Sequence, residues 1–191
     1  EDLLYFMEMI EQTKISREEL EIFRKLKNLK VIFDVGARTD TDYIELRPRA
    51  TYHLFEPNLE FFEVLKEKVG EKKNVYLNNY GLSDKEEDLS YDVNSQTFLT
   101  NVEHPKLPVK TLDWYAEKHK IDSIDFLKID AEGFDYKVLI GGEKTIKKCR
   151  YIQYEHWDDK LCFHELLEYN FIMCYIGNRN VFCIRKGEKW L

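Results

Sequence analysis

Five short apolar runs, each followed by a stretch with helical spacing, constrain this chain more than any other feature. They are VIFDV (Val31–Val35), TYHLF (Thr51–Phe55), NVYLN (Asn74–Asn78), IDFLKID (Ile124–Asp130) and YIQYE (Tyr151–Glu155). Their β-branched and aromatic residues predict the strands of a parallel sheet covered by helices on both faces. Local signals mark the helices between them. Ser16 and Glu19 form a capping box that opens a helix to about Lys27. Leu3, Leu4, Met7 and Ile10 make a helical stripe over residues 2–12. A short helical piece spans Thr41–Arg47. Asn58 caps a helix that Gly70 closes, and Thr111 caps another to about Lys120. Tyr136–Lys148 is helical with a break at Gly141-Gly142, and Leu161–Glu168 is helical again. Residues 81–108 interrupt the rhythm and predict strand or hairpin excursions. FIMCYI and VFCIR, joined by GNRN, predict a terminal hairpin. The pattern is that of one domain, with docking helices over residues 1–28 and a core over 29–191.

Composition narrows the partners. A formal net charge of −7 over 191 residues argues against nucleic acid, whose phosphates attract the opposite sign. The basic cluster EKTIKKCR reads as a solvated helix end. No apolar run approaches the ~20 residues that span a bilayer. Cys149, Cys162, Cys174 and Cys183 lack any C-x-x-C spacing, which argues against zinc. Buried free thiols fit a reducing, cytoplasmic setting. Cys174 and Cys183 can also face each other across the hairpin, so a disulfide stays open. The chain begins at Glu1, which suggests a piece cut from a longer protein.

In doubly wound sheets ligands bind beyond the carboxyl ends of the strands. Asp34, Gly36 and Ala37 stand where the first strand ends. Glu56 follows the second strand, 22 positions after Asp34, close to the ~20 at which an acid commonly holds ribose hydroxyls. A surface or capping Glu is the alternative there. A pyrophosphate site would want G-x-G-x-x-G, and this segment has only Gly36 among the acids Asp34, Asp40 and Asp42. A donor carrying an ammonium and a sulfonium, and no phosphate, suits such walls better. Parallel units closed by a hairpin point to the seven-stranded, mostly parallel sheet of class I methyltransferases: an α/β, Rossmann-like fold with an antiparallel C-terminal hairpin.

FDVGA, FEPN, NNYGLSDKEED, the long run from VKTLDWY to GGEKTI, and YIQYE together resemble the FkbM-type methyltransferases. The likeness covers Val31 to Glu155, and DFLKIDAEGFDYKVLIGG is its most specific part. It implies S-adenosylmethionine as cofactor (S-adenosylhomocysteine as product) and O-methylation of a hydroxyl on a sugar, an oligosaccharide or another metabolite. By the same resemblance, Asp34, Gly36 and Ala37 would face the methionine part of the cofactor. Glu56 would hold the ribose, with Pro57 and Asn58 on the adenine side. Gly81, Leu82 and Ser83 would frame the adenine, and Asp130 and Glu132 would lie beside the transferred methyl. Adjoining glycosyltransferase domains are a further implication of the family. The motif usually continues D-V-G-A-N-x-G. Here Arg38 stands at the Asn position and Asp40 at the second Gly position. Arg38 can pair with the cofactor carboxylate, or the changed loop can weaken binding.

Methylating an alcohol needs a group to take its proton. The candidates are Lys128, Asp130, Glu132, Glu155 and His156, at the ends of the fourth and fifth strands. Lys128 and Asp130 share a face of an extended strand, so an ion pair that only supports the sheet is the plain alternative for Lys128. Asp130 and Glu155 alone make a weak case for a divalent cation, and no metal ligand is assigned. Two other readings stand beside the enzyme: a non-catalytic module that keeps the fold and binds a partner, and a nicotinamide-dependent oxidoreductase, which the missing glycines oppose.

Overall fold

The computed structural model describes residues 18–99, 105–156, 167–176 and 179–188, the side chains of residues 18 and 174–176 aside. The stripe over 2–12, the Ser16 cap, most of the 161–168 helix, and Cys162 lie outside that set. Seven strands form the main sheet: β1 (Val31–Val35), β2 (Thr51–Phe55), β3 (Val75–Asn78), β8 (Ile124–Ile129), β9 (Cys149–Glu155), β10 (Phe171–Ile176) and β11 (Asn180–Arg185). Their order is β10-β11-β9-β8-β1-β2-β3. Every pairing is parallel except those of β11, which runs antiparallel to both β9 and β10. This is the expected class I methyltransferase architecture. In the hairpin register Cys183 stands opposite Met173, and Cys174 pairs with Phe182.

The two-residue period of a strand sends its side chains to two cores. Phe33, Phe55, Leu127 and Ile152 pack on one face with α4 (Leu112–Lys118), α5 (Asp135–Ile140) and α6 (Glu143–Ile146). Ile32, Leu54, Phe126 and Tyr151 pack on the other with α1 (Glu18–Lys25), α2 (Asp42–Leu46) and α3 (Leu59–Val69). Ile22 and Phe23 of α1, with Leu26 just beyond it, are fully buried, and each such side chain contributes about 1.5–3 kcal/mol. Phe23 sets its ring edge-on to Tyr43 and Phe126. Arg47 Nη2 caps this helix by donating to the carbonyls of Arg24 (2.6 Å) and Leu26 (3.0 Å). The caps read from sequence form: Asn58 Oδ1 accepts from Glu60 N and Phe61 N, and Thr111 Oγ1 accepts from Trp114 N.

Strands within residues 81–99 and 106–110 build a second sheet, which the sequence indicated only as excursions. β4 (Gly81–Leu82), β5 (Glu87–Asp92), β6 (Thr97–Leu99) and β7 (Lys106–Lys110) pair in the order β4-β7-β5-β6. Leu89, Tyr91, Phe98 and Val109 form its own small core with Phe134 from the loop after β8. Thr97 Oγ1 donates to the Glu132 carbonyl at 2.6 Å and pins this sheet to that loop.

His53 of β2 is buried, 2.8 Å from Tyr115 Oη, with the Tyr76 ring stacked on it at 4.8 Å. Burial, helped by the nearby His119, lowers its pKa to about 4. Between pH 6.5 and 4 the unfolded chain takes up a proton that the folded chain refuses. Stability present above pH 6.5 is therefore lost as pH falls, by roughly 3 kcal/mol in all. Urea unfolding across that window is expected to show the slope in the parent and a flatter one in His53→Gln. Equal slopes would remove the assignment.

Candidate functional site

The cleft lies at the carboxyl ends of β1, β2 and β8, under the second sheet. Its empty space, open solvent included, is about 510 Å³. Gly36, Arg38, Glu56, Pro57, Gly81, Leu82, Asp130 and Glu132, all named from the sequence, line it.

Glu56 is its most constrained polar group, only 3% exposed. Oε2 accepts from Arg38 N and Oε1 from Asn58 N, both at 2.8 Å. The carboxylate thus ties the loop after β1 to the start of α3, and each oxygen keeps a second lone pair for a ligand. Burial raises its pKa, while the Asn58 and Arg38 amides pull it down. The Glu56 carbonyl is held in turn by Asn79 Nδ2 at 2.9 Å.

Gly36 has φ +82°, and a Cβ there would stand 1.9 Å from the Asp130 carbonyl oxygen. The close approach that needs a glycine is to the tip of β8, in addition to any ligand. Arg38 (φ 48°), Gln96 (φ 58°) and Glu132 (φ 47°) also adopt left-handed backbone. Non-glycine residues in that region cost about 1–2 kcal/mol each, and strain of this kind gathers at functional sites. Asn tolerates the conformation better, which explains what the usual motif places where Arg38 stands. The Arg38 guanidinium lies over the Phe61 ring, 5.3 Å from its centroid.

Behind Asp130, Lys128 Nζ lies 3.2 Å from Asp34 Oδ1 and 3.3 Å from Asp130 Oδ2. Lys128 and Asp34 are buried, whereas the Asp130 side chain is 41% exposed. One ammonium is shared by a sequestered carboxylate and a cleft-facing one. Burial opposes the charge on Lys128, yet Asp34 and Asp130 together hold its pKa well above the ordinary value. Asp135, beneath the loop, accepts from Ala131 N and Glu155 N, and burial pushes its pKa up to about 7.

Several expected site residues do not line the cleft. Lys128 is buried behind Asp130 and does not line the cleft, and Asp34 sits behind it in turn. Ala37 is buried with its N–H on the Phe55 carbonyl. Asn58 spends its side-chain oxygen on the α3 cap. Ser83 is buried, with its N–H on Lys110 O and its Oγ on Asp84. Glu155 and His156 stand at the tip of β9, where His156 N donates to Arg179 O at 2.7 Å. Conversely, Phe61, Tyr91, Gln96 and Phe98 line the cleft and were not picked out from sequence. Phe61 lies on the cleft side of the first turn of α3, a helix that was read; the other three depend on how the second sheet folds back. Among the described residues no three potential ligating side chains gather at one point for a metal, and no helix is long and apolar enough to cross a membrane.

The family model for the methyltransferase FkbM domain matches residues 34–179. The 2-O-methyltransferase NoeI of Sinorhizobium fredii (strain NBRC 101917 / NGR234) is 23% identical over 185 residues, covering 81% of this chain and 76% of that protein. The crystal structure of methyltransferase FkbM from Methylobacillus flagellatus KT superposes with a TM-score of 0.60 at 11% identity, covering 84% of this chain and 47% of that one. The chain thus spans about half the length of that structure. SMU.1697c from Streptococcus mutans, solved in complex with SAH, gives a TM-score of 0.56 at 12% identity, covering 87% of this chain and 95% of that one. At these identities the two structures speak for the fold.

Proposed function

This chain belongs to the FkbM methyltransferase family, and from that premise we propose that it transfers a methyl group from S-adenosylmethionine to a hydroxyl of a sugar or glycan. One observation carries the reading: Glu56, buried at the tip of β2, has both oxygens fixed by backbone N–H groups and lines the cleft. That arrangement suits the two hydroxyls of a ribose. Phe61, Leu82, Tyr91 and Phe98 offer apolar walls for a flat base, and Asp130 and Glu132 offer negative charge for a cationic centre. The residues present fit the cofactor. When bound, it supplies a methyl group already activated on a sulfonium.

The rest of the work falls to the chain. Asp130 faces the cleft, held by Lys128, and accepts the proton of the acceptor hydroxyl. Glu155 and His156, at the neighbouring strand tip, border the acceptor side. Fixing acceptor and donor in an attack geometry supplies up to about 7–11 kcal/mol in the most favourable cases. The relative's name, a 2-O-methyltransferase, supports oxygen as the atom methylated.

Calorimetry and mass spectrometry test the proposal together. S-adenosylmethionine is expected to bind, and Glu56→Gln to weaken it about tenfold or more. Asp130→Asn is expected to weaken cofactor binding only modestly, because Glu132 keeps its charge beside the cationic centre, and to lose ~10²–10⁴-fold in turnover, the usual worth of a general base. Oligosaccharides incubated with enzyme and cofactor should gain the mass of one methylene. No heat of binding with the cofactor would end the proposal. The Arg38-Asp40 loop favours a second reading, a module that binds without catalysis; binding with no transfer to any acceptor of a broad panel would select it.

A further inference from the structure

The helix α1 lies ahead of the residues that the family model matches, yet its Glu19 reaches the carboxyl edge of the main sheet. Asn180, the first residue of β11, donates from Nδ2 to Glu19 Oε1 at 2.6 Å. Gln153 of β9 hydrogen-bonds the same carboxylate. Gln153 is the register neighbour of Lys128, and Lys128 of Asp34. A polar row, Asp34–Lys128–Gln153, therefore crosses three strands, with Glu19 above it. Tyr43 of α2 and Asp40 of the loop after β1 face the same cluster electrostatically. Tyr43 Oη and Gln153 Oε1 are buried there without a hydrogen bond to protein. Asp34 and Asp130 flank the Lys128 ammonium, and Glu19 adds a third negative charge to the same cluster. Burial raises the pKa of Glu19 while Lys128 draws it down.

We infer that Glu19 is a positioning residue of the transfer site: it fixes Gln153 and Asn180 at the edge of the sheet and adds to the field that keeps Lys128 an ammonium beside Asp130. The inference rests on the role proposed above for Asp130. It makes α1 a part of the site as well as a cover for the core. Glu19 touches no reacting atom; it acts through Lys128 and the strand tips.

Glu19→Gln removes the charge and keeps the shape, and Glu19→Asp keeps the charge. Parent and variants are compared by thermal unfolding, by calorimetric affinity for S-adenosylmethionine, by turnover on a hydroxyl acceptor, and by nitrogen NMR of the Lys128 ammonium, assigned through its loss in Lys128→Arg. Glu19→Gln is expected to melt within a few degrees of the parent and to bind the cofactor equally well. Its kcat should fall about tenfold with KM for the acceptor unchanged, and the Lys128 signal should move. Glu19→Asp should restore part of both. A parental kcat, or a Lys128 signal that stays in place, overturns the inference; so does a parallel loss of melting temperature, affinity and turnover, which would leave Glu19 a structural tie only. If the parent binds no cofactor, the proposed function fails by itself, and the Lys128 signal alone then decides: moved by Gln and restored by Asp, it upholds the placement of Glu19; unmoved, it overturns it.

Discussion

Gly36→Ala is expected to lower the melting temperature by about 10 °C. Two costs add. The backbone at Gly36 is left-handed, at φ +82°, which costs a residue with a Cβ about 1–2 kcal/mol. The new carbon would also meet the Asp130 carbonyl oxygen at 1.9 Å. That oxygen is backbone and cannot rotate away, and Asp130 N is bonded to Val35 O at 2.9 Å, so the two strand tips are stitched together. Forcing them apart costs about 1–3 kcal/mol more by analogy with overpacked cores. The sum, roughly 2–5 kcal/mol, converts at about 2–4 °C per kcal/mol for a chain of this size. Gly70→Ala is the control. Gly70, at φ +62° and ψ −142°, has nothing within 4 Å of the added carbon, so only a conformational cost of about 1–3 kcal/mol applies. Scanning calorimetry of both variants separates the terms. Equal melting temperatures for the two would mean that the contact with Asp130 relaxes freely, and the description of the strand tips would be wrong.

Lys128→Met should destabilise the fold by about 3–5 kcal/mol at neutral pH, the usual result of removing one member of a buried pair. The deficit belongs mostly to Asp34, which is 3% exposed and would be left beside Asp130 and Asp40 with no cation. Its carboxyl is already raised by burial, with Lys128 as the main opposing influence. Without the ammonium, the folded variant keeps Asp34 protonated at pH values where the unfolded chain, with an ordinary carboxyl near 3.9, has ionised. The folded state then binds the extra proton, and stability falls as pH rises from about 4. The difference between parent and variant should therefore be small near pH 4 and full at pH 7. Adding Asp34→Asn should recover much of the loss, since it removes the stranded charge. Urea unfolding at a series of pH values reads all three proteins. A penalty that is the same at every pH, or no recovery in the double variant, would show that the Lys128 stem, rather than its charge, holds the sheet.

Most strands and caps were legible because their causes are local. Thr51–Phe55 forms a strand with the predicted bounds, and Asn58 and Thr111 cap the helices they precede. The break at Gly141-Gly142 separates α5 from α6 as read. Glu56 and Asp130 reach the cleft because a residue at a strand tip is carried there by the sheet itself. The second sheet was less legible. Leu89, Tyr91, Phe98 and Val109 come from strands whose order, β4-β7-β5-β6, departs from chain order, and no short-range pattern encodes that pairing. Tyr91, Gln96 and Phe98 entered the cleft lining by that route.

The sequence by itself determined a mostly parallel, doubly covered sheet with an antiparallel end, and which strand tips carry acids, since both follow from periodicity and spacing along one segment. Tertiary structure alone decided which of those acids faces the cleft. Asp34 and Asp130 look equivalent as strand-tip carboxylates, yet the register of β1 against β8 buries one behind Lys128 and leaves the other open. It also decided that Glu19, from a helix far ahead in the chain, completes the charge cluster. The reason is physical: burial and charge pairing depend on what lies across the sheet, and a strand carries no record of its neighbours.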